Sequence, residues 1–490
     1  MIQFEGNMAK FYLTSAIPYV NARPHIGWAL EIIQADVIAR YRRQQGDDVL
    51  YLCGSDENSL KNVQSAEKAG MPVQKFVDSY SQFFIDLAKK LNVQFDVFQR
   101  GSNPDHHTSA QTLWKRCMDN GDIYKKAYTG LYCVGCEMFY TGDELNENGE
   151  CVEHPGKKLD EVTEENYFFK LSAYKKNLTT IIQSDALEIV PAYRKNEVLS
   201  FLNGKIEDIS ISRSNERAKN WGVNVPGDTT QKMYVWFDAL NIYQSGIGFG
   251  TDEEKYQQWW PADVHVIGKG ITRFHAVYWP AFLLSAQLPL PKKLFVHEYI
   301  TVNGQKMSKT VGNVIDPNDY CTLYGADALR YYLLAKLSPF QDGDFSDEKF
   351  KLTYNADLAN GLGNLVARIA RLSQTAELTQ PTIKLQIDKI AEYEAYKTAL
   401  EDGLFNETLG IIWQKISAVD RYVNDTKPWI LIKTDLPRTK EILHKCIQEI
   451  REIALLLKPF LPDTAEKITT QFDAETITVQ PSLFPRIQNK

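Results

Sequence analysis

The sequence has no uninterrupted apolar run of about 18 residues, so no transmembrane helix is expected. Its first ten residues are of mixed polarity and lack the apolar core of a signal peptide. Cysteine is scarce, with 7 in 490 residues, and four of these stand alone. The four are Cys53, Cys117, Cys321 and Cys446, and we expect them to be buried thiols because a secreted disulfide framework would have paired spacings. The sequence therefore predicts a cytoplasmic protein with no membrane segment.

An excess of basic residues is also lacking. Lys and Arg number 55 against 62 Asp and Glu, which gives a net charge of −7. This argues against nonspecific coating of nucleic acid, although a local basic face can bind RNA phosphate in an acidic protein. Apolar residues make up 44% and charged residues 24%, as in globular proteins. The length predicts about two to four domains.

The start of the chain predicts a β-α-β unit. Apolar runs at residues 11–16 and 49–53 have the composition of buried strands. Between them, after a turn at residues 18–24, apolar side chains recur at helical spacing: Ile26, Leu30, Ile33, Val37 and Tyr41. Such units build parallel sheets, which bind ligands beyond the carboxyl ends of their strands.

The rest of the chain divides by pattern. Residues 128–154 are rich in Gly, Cys and acidic side chains, which indicates a small insertion. Further strands are predicted at residues 233–237, 264–267 and 294–300, and helices from residue 356 nearly to the end. The clearest helix has apolar residues at helical spacing before Pro459: Leu443, Ile447, Ile450, Ile453 and Leu457. The predicted fold class is α/β with a Rossmann-like parallel sheet, interrupted by a knuckle and followed by an all-α helical bundle.

Two short segments have the character of phosphate sites. One is His25-Ile26-Gly27-Trp28, placed where the first strand gives way to a helix whose free amides favour phosphate. There His25 can donate to a phosphate oxygen, and Gly27 allows close approach to the backbone. The other is Lys306-Met307-Ser308-Lys309, in a glycine-flanked loop that suits an arm closing over a polyphosphate. Either segment alone is weak evidence, since capping histidines and solvated charged loops are common, but together they predict a nucleotide site.

Four cysteine and histidine residues have the spacing of a structural metal site. Cys133 and Cys136 form one pair, and Cys151 and His154 form a second pair of the same spacing. Three thiolates and one imidazole suit a closed tetrahedral Zn²⁺. Because protein would fill all four positions, we expect one structural zinc ion that takes no part in catalysis.

Taken in order, these motifs resemble those of class I aminoacyl-tRNA synthetases. Residues 25–28 are similar to the HIGH signature of that class, and residues 306–309 to its KMSK signature. The resemblance narrows to the methionyl-tRNA synthetase family at residues 16–21, 235–240, 267–269, 274–275 and 278–280. It runs through essentially the whole chain and implies five regions. These are a Rossmann-like catalytic domain in two halves (1–125 and 205–300), a connective insertion with the zinc knuckle (126–204), a KMSK loop and stem-contact region (301–355), and an α-helical anticodon-binding domain (356–490).

The resemblance implies a ligase that activates methionine with ATP and transfers it to tRNA(Met). The side chains implied to enclose methionine are Ile17, Tyr19, Trp236, Ala239, Leu240, Tyr243, Phe274 and His275. Aromatic rings suit a thioether because they hold its polarizable sulfur with favourable contacts. The carboxylate of Asp56 is implied to pair with the substrate ammonium.

ATP, accompanied by Mg²⁺, is implied to contact both signatures. The residues implied to bind it are His25, Gly27, Trp28, Glu31, Gly268, Lys306 and Lys309. Three of these, His25, Lys306 and Lys309, are the implied catalytic residues, because they would stabilise charge on the phosphates. The resemblance assigns Asn364, Arg368 and Trp429 in the helical part to the anticodon. Since the chain ends soon after the helices, a monomer is expected.

Three positions depart from the family pattern. Trp28 replaces a histidine, so one expected nucleotide contact is missing or is replaced by stacking on adenine. Gly270 replaces an acidic residue, and Asn58 replaces a histidine after Asp56 and Glu57. These departures keep open the alternative of a catalytically weakened RNA-binding paralogue with the same fold. Its main obstacle is the retention of both lysines, the first-signature histidine and Asp56, for which a pure binder has no use.

The insertion disfavours the remaining rivals, which are other class I synthetases and a zinc-dependent hydrolase. Synthetases for leucine, valine and isoleucine carry long editing domains, for which the insertion is too short, and a cysteine enzyme would have its zinc in the substrate pocket. A zinc-dependent hydrolase would need an open metal position, whereas this tetrad is complete.

Overall fold

The computed structural model describes residues 9–133, 138–140, 142–152, 156, 158–307, 312–379 and 385–487. Their contacts divide the chain into two compact units. The first consists of the described parts of Met1–Pro24, Gly46–Asp86 and Gln94–His297. The second consists of the described parts of His25–Gln45, Leu87–Val93 and Glu298–Lys490. Among the residues so described, no helix is long and apolar enough to cross a membrane.

The first unit is built on a sheet of six parallel strands. In order across the sheet they are Val97–Arg100, Asp48–Ser55, Lys10–Ser15, Val264–Gly268, Lys293–His297 and Glu188–Val190. Lys10 pairs with Asp48 and Thr14 with Leu52, which confirms the predicted parallel pair at the start of the chain. The strand predicted at residues 264–267 is confirmed as well. The strand order reverses beside Lys10–Ser15, and at such a switch point the loops after the strands form a cleft for ligands.

Two antiparallel sheets complete the strands of the first unit. Their members are Met138–Tyr140, Ile123–Cys133, Asp160–Phe169 and Ile209–Ser210 in one, and Asn224–Val225, Asp228–Met233 and Ser212–Ser214 in the other. The α-helices of this unit are Leu60–Lys68, the first part of Val73–Lys90, Pro104–Asp119, Lys175–Gln183, Ala192–Asn203, Val235–Ala239, Ile242–Ser245, Glu253–Trp259 and Trp279–Ser285. Shorter helical turns are Gly142–Glu144, Leu171–Tyr174, Lys269–Ile271 and the π-helix Phe274–Tyr278.

The strand predicted at residues 233–237 is wrong. Asp228–Met233 is a strand, but the chain then turns at Tyr234 into the short helix Val235–Ala239. Every residue of that helix is buried, including the polar Asp238, so its sequence shows neither helical nor strand periodicity. The predicted run at 294–300 is also divided, into Lys293–His297 of the central sheet and Ile300–Val302 of another.

The second unit is mostly helical, as predicted from residue 356 onward. Its α-helices are Ile26–Gln45, Pro317–Tyr324, Ala326–Ala335, Asp347–Thr353, Asn364–Thr375, Tyr393–Glu401, Phe405–Thr426, Pro428–Leu431, Leu436–Leu457 and Pro462–Phe472. A π-helix, Tyr354–Gly363, a short 3-10 turn, Ile387–Lys389, and a sheet of Gln305–Lys306, Ile300–Val302 and Gly343–Phe345 complete it. The five apolar residues that predicted the helix Leu436–Leu457 are all buried.

A buried arginine anchors the helix Ile26–Gln45 within this unit. Arg330 is fully buried, and its Nε and Nη2 donate to the carbonyl oxygens of Phe460 at 2.7 Å and Pro459 at 3.0 Å. Nη2 also lies 2.7 Å from Oδ2 of Asp36, a fully buried residue of that helix. Asp36 in turn lies 2.7 Å from Nε of Arg40. Because both charges and their remaining hydrogen-bonding groups are matched, the buried pair is tolerated.

Candidate active site

Aromatic rings of the first unit form the candidate pocket for an amino-acid side chain. Trp236 and Phe274 stack with ring centroids 3.7 Å apart and planes at 9°. Tyr19 meets Trp236 edge-on at 6.3 Å. The other predicted wall residues on the same segments are buried or partly buried: Ile17, Ala239 and Leu240. The structure therefore brings together residues predicted from three separate motifs.

A tyrosine and a histidine form a neutral pair in the same part of the unit. Oη of Tyr243 lies 2.8 Å from Nε2 of His275, and Nδ1 of His275 lies 2.9 Å from the carbonyl oxygen of Ile271. A carbonyl oxygen can only accept, so Nδ1 carries the ring proton and Nε2 accepts from the tyrosine hydroxyl. Burial lowers the pKa of His275 to about 4. The ring is therefore uncharged at neutral pH, as suits the binding of an uncharged thioether.

Protonation of His275 is expected to destabilise the fold in mild acid. Its pKa is 6.5 in the unfolded chain and about 4 in the folded chain, so between these values the unfolded state binds more protons. The neutral ring of His275 makes its full contribution to stability above about pH 6.5, and this contribution decreases as the pH falls from 6.5 to about 4. From pH 7 to pH 5 we expect a loss of about 2 kcal/mol. Urea unfolding of the wild type and H275Q at both pH values measures it, and equal losses in the two proteins would contradict this assignment.

The carboxylate predicted to bind an ammonium lies at the switch point. Asp56 is 2% exposed and follows the strand Asp48–Ser55. Its amide donates to the carbonyl oxygen of Pro18 at 2.9 Å, and its own carbonyl accepts from Nδ2 of Asn62 at 2.9 Å. Its backbone also pairs in parallel with that of Tyr19. The backbone of Asp56 is thus fixed beside a wall residue of the pocket.

The next carboxylate in the chain, that of Glu57, is occupied by structural contacts. It is fully buried and accepts from the hydroxyls of Ser55 at 2.7 Å and Ser81 at 2.6 Å. Nε of Arg100 lies 2.7 Å away, and the hydroxyl of Ser102 also donates to it. Glu57 therefore stiffens the segment that carries Asp56, and the bonds it already makes disfavour a role in substrate binding.

The first signature lies at the start of the helix Ile26–Gln45, in the second unit. His25 is exposed, and its Nδ1 accepts from the amide of Gly27 at 3.0 Å, while the amide of Ile26 donates to the carbonyl oxygen of Ile315 at 3.1 Å. The expectation of free amides at this helix start is therefore wrong for these two groups, because the chain itself caps them. With Nδ1 as an acceptor, the neutral ring of His25 carries its proton on Nε2, the atom that can donate to a phosphate oxygen.

The second signature begins in a tight hairpin of the same unit. Asn303 and Gly304 have φ values of 52° and 75°, the left-handed pair of a type I′ turn between Ile300–Val302 and Gln305–Lys306. This turn fixes the direction in which the chain leaves Lys306. Lys309, predicted to be catalytic, lies outside the described residues.

The two signatures approach each other within the second unit. A Cβ placed on Gly27 would lie 3.5 Å from Cε of Met307 and 2.9 Å from the ring of His25. The absence of a side chain at Gly27 therefore leaves room for both neighbours. The structure thus brings the first signature beside the start of the second.

The other residues predicted to bind ATP are divided between the units. Trp28 and Glu31 lie in the first two turns of the helix Ile26–Gln45 and are 7% and 6% exposed. Gly268 ends the central strand Val264–Gly268 of the first unit, and Gly270 is exposed in the turn after it. Stacking of Trp28 on adenine, as predicted, would require its ring to leave this buried position.

Two of the four predicted zinc ligands are described. Cys133 and Cys151 are buried in one small cluster with Leu159. Cys136 and His154 lie outside the described residues. Within the described ranges no group of three or more His, Cys, Asp and Glu side chains is placed to hold a metal. The two predicted ligands that the structure describes thus lie in one cluster.

The residues predicted to read the anticodon lie on neighbouring helices. Cζ of Arg368 stands 4.7 Å from the ring centroid of Trp429, which is 40% exposed. The guanidinium also donates to Oδ1 of Asn424 at 2.6 Å. Asn364 is exposed one turn earlier on the helix of Arg368. Lys427, with a φ of 47°, ends the helix Phe405–Thr426, and the short helix Pro428–Leu431 that follows carries Trp429.

Comparison with known proteins agrees with this arrangement. Residues 11–370 match the family model described as tRNA synthetases class I (M). The chain belongs to the methionyl-tRNA synthetase family. Residues 373–483 further match the anticodon binding domain of methionyl tRNA ligase. As a member of this family, the chain is an aminoacyl-tRNA ligase.

Individual members of the methionyl-tRNA synthetase family are similar over nearly the whole chain. The methionine–tRNA ligase of Thermotoga maritima is 41% identical over 94% of this chain and 74% of its own length. That of Brucella suis is 40% identical over 94% of this chain and 91% of its own length. The structure of Mycobacterium tuberculosis methionyl-tRNA synthetase in complex with methionyl-adenylate has a TM-score of 0.91 at 36% identity, covering 98% of this chain and 100% of that one.

Some residues near the pocket were not predicted from the methionyl-tRNA synthetase motifs in the sequence. His265 is fully buried on a central strand, with Nδ1 2.6 Å from Oγ1 of Thr14 and its ring 4.5 Å from that of Tyr243. Burial lowers its pKa well below the ordinary value. Asp238 lies within the motif at residues 235–240 but was given no role, and Asn58 was predicted only to depart from the family pattern. Nothing in the sequence indicated that Nδ2 of Asn58 donates to Oδ2 of Asp238 at 2.7 Å.

Proposed function

We propose that this chain activates L-methionine with ATP and Mg²⁺ to form methionyl-adenylate, and then transfers the methionyl group to tRNA(Met). The observation that carries the proposal is the aromatic pocket beside Asp56. Stacked Trp236 and Phe274 with the neutral pair of Tyr243 and His275 suit a thioether side chain. The carboxylate of Asp56 is buried on a residue whose backbone pairs with that of Tyr19, and it suits an ammonium.

In the first step a carboxylate oxygen of methionine attacks the α-phosphorus of ATP. The bond from that phosphorus to the bridging oxygen breaks, and pyrophosphate leaves with the electron pair. Little proton transfer is needed, so catalysis rests on positioning and on stabilising charge. His25, Lys306 and Lys309 would supply that stabilisation at the phosphates, and Mg²⁺, when bound with ATP, offsets their negative charge.

In the second step a ribose hydroxyl at the 3′ end of tRNA attacks the carbonyl carbon of the adenylate, and AMP leaves. We assign recognition of the tRNA to the C-terminal helices. A half-exposed indole at Trp429 can stack on an unpaired base, while Arg368 and Asn364 can bond to base edges. We also propose a cytoplasmic location, because the four cysteines that stand alone in the sequence are buried thiols, as expected in a reducing compartment.

Amino-acid-dependent ATP–pyrophosphate exchange, run with all twenty amino acids, tests the proposed function. Exchange with methionine alone is the expected result. A folded, zinc-loaded protein that gives no exchange with any amino acid would refute the proposal and favour an RNA-binding paralogue.

Replacing Lys309 with alanine is expected to slow adenylate formation by about 10²-fold with little change in methionine affinity. The lysine would act on phosphate charge that develops in the transition state, so its loss raises the barrier without weakening ground-state binding of the amino acid. Single-turnover formation of methionyl-adenylate measures the rate. The matched control is Lys351→Ala, which changes a 42%-exposed lysine paired with Asp347 and should react at the wild-type rate.

We also propose one structural zinc ion, held by Cys133, Cys136, Cys151 and His154. The burial of Cys133 and Cys151 in one cluster supports this proposal. We expect about one zinc per chain by elemental analysis and a marked loss in C151S. The control is C446S, which changes a buried thiol of the helical bundle and should keep its zinc. Equal zinc contents in the two variants would contradict this ligand set.

A further inference from the structure

A layer of buried polar side chains lies between the helix Pro104–Asp119 and two short helices, Val235–Ala239 and Ile242–Ser245. Its members, here called the polar seam, are His106, Ser109, Asp238, Asn241 and Ser245, none more than 6% exposed. Nδ1 of His106 lies 2.9 Å from Oγ of Ser245, and Nδ2 of Asn241 donates to Oγ of Ser109 at 2.8 Å. The helix next to the pocket is thus held by specific polar contacts rather than by apolar packing alone.

The polar seam is costly to bury. Within the described part of the chain, Oδ1 of Asp238, Oδ1 of Asn241 and Nε2 of His106 are buried without a hydrogen-bond partner. Nε2 of His106 lies 3.9 Å from Oδ2 of Asp238, beyond hydrogen-bond distance. Each such group destabilises the fold relative to one that has a hydrogen-bond partner. Local costs of this kind are expected where function requires a particular arrangement.

One side chain joins the polar seam to the segment that carries Asp56. Nδ2 of Asn58 donates to Oδ2 of Asp238 at 2.7 Å and to the carbonyl oxygen of Gly101 at 2.8 Å. Asn58 is two residues from Asp56 in a segment that is tied down on both sides, since Nε1 of Trp221 also donates to the carbonyl oxygen of Glu57 at 2.7 Å. The bond from Asn58 therefore connects a fixed segment to the helix Val235–Ala239.

Asp238 lies on that helix between two residues assigned to the methionine side chain. Trp236 stands two positions before it and Ala239 one position after it. The hydrogen bond between Asn58 and Asp238 consequently spans the two halves of the pocket. One half would hold the ammonium of the substrate, and the other its thioether.

We propose that Asp238 is a positioning residue that sets, through Asn58, the distance between the carboxylate of Asp56 and the aromatic wall at Trp236. This inference rests on the proposed function and extends it, because it names what determines the accepted length of the amino acid. A substrate that contacts both halves of the pocket binds well only when the distance between the halves matches its length. A small displacement of one half therefore weakens binding. S-Methylcysteine, one methylene shorter than methionine, spans the halves poorly while their spacing is fixed.

The test compares D238L, which removes the acceptor, with D238N, which keeps an acceptor oxygen for Asn58. In ATP–pyrophosphate exchange D238L is expected to raise the KM for methionine about tenfold, with kcat and the KM for ATP within about twofold of wild type. D238N should stay within about threefold. The preference for methionine over S-methylcysteine should fall in D238L. A purely structural role would instead reduce the fraction of active sites and leave KM and this preference unchanged.

The other end of the bond provides a second test should D238L fail to fold. N58L is expected to raise the KM for methionine as D238L does. N58H has a ring N–H donor, so its KM should lie close to that of wild type. Combining N58L with D238L should raise the KM little beyond that of either single variant. An unchanged KM in the folded variants, or equal effects of D238N and D238L, would overturn this inference alone. Absence of methionine-dependent exchange in the wild type would overturn the proposed function and the inference together.

Discussion

Replacing Asp56 with asparagine is expected to lower kcat/KM for methionine by about 10²–10³-fold and to leave the KM for ATP unchanged. The carboxylate is 2% exposed, so the proposed pairing with the ammonium of methionine would take place away from water. Removing one partner of a buried charge pair costs about 2–5 kcal/mol, much of it from the charge left unpaired. Because asparagine is nearly isosteric, the pocket should keep its shape. ATP–pyrophosphate exchange at varied methionine concentration measures the effect.

The matched control for this variant is D78N. Asp78 belongs to the same unit and contacts Arg100 at 2.6 Å, but its side chain is 47% exposed. Exchange kinetics within about twofold of wild type are expected for it, since exposed ion pairs contribute little. If D56N kept kcat/KM within threefold of wild type, the ammonium would have to be bound elsewhere.

Replacing Arg330 with methionine is expected to reduce the free energy of unfolding by about 3–5 kcal/mol. The substitution leaves Asp36 fully buried with Arg40 as its remaining charged partner, and removes the donors to the carbonyl oxygens of Phe460 and Pro459. Methionine fills much of the volume of arginine, so the loss would come from unmatched polar groups rather than from a cavity. Urea unfolding followed by far-UV circular dichroism measures it.

Two further variants make this result specific. R438M removes a surface arginine that lies 2.7 Å from Glu441, and its unfolding should match the wild type. R330M combined with D36N should recover part of the lost stability, because the buried carboxylate is then neutral. Unfolding of R330M at the wild-type urea concentration would show that the buried pair contributes nothing.

The elements that could be predicted from the sequence are those whose surroundings are simple. A central strand of a parallel sheet is covered on both faces, so residues 264–267 form a short continuous apolar run, and the strand Val264–Gly268 contains them. The helix Leu436–Leu457 buries one stripe, and its apolar spacing predicted it. Residues 233–237 resisted the same reasoning because complete burial removes the periodicity that separates a helix from a strand.

For the candidate site, the sequence predicted which residues to expect but not the contacts between distant segments. Short motifs predicted the aromatic wall residues and the first signature, because the residues of each motif lie close together in the sequence. Asp56, Arg368 and Trp429 were predicted only from the family resemblance. Contacts between distant segments left no such trace. Asn58 and Asp238 are 180 residues apart, and the caps on the amides of Ile26 and Gly27 depend on backbone geometry that a sequence does not state.

The division of the chain into two units determines which activities a destabilising substitution would impair. The residues assigned to methionine belong to one unit, whereas His25, the loop that begins at Lys306 and the anticodon residues all belong to the other. Loosening the helical bundle, for instance at Arg330, should therefore impair the handling of phosphate and of tRNA together while methionine is still bound. Such a protein would hold its amino acid yet fail to spend ATP on it, so a stability defect would present as a selective catalytic one.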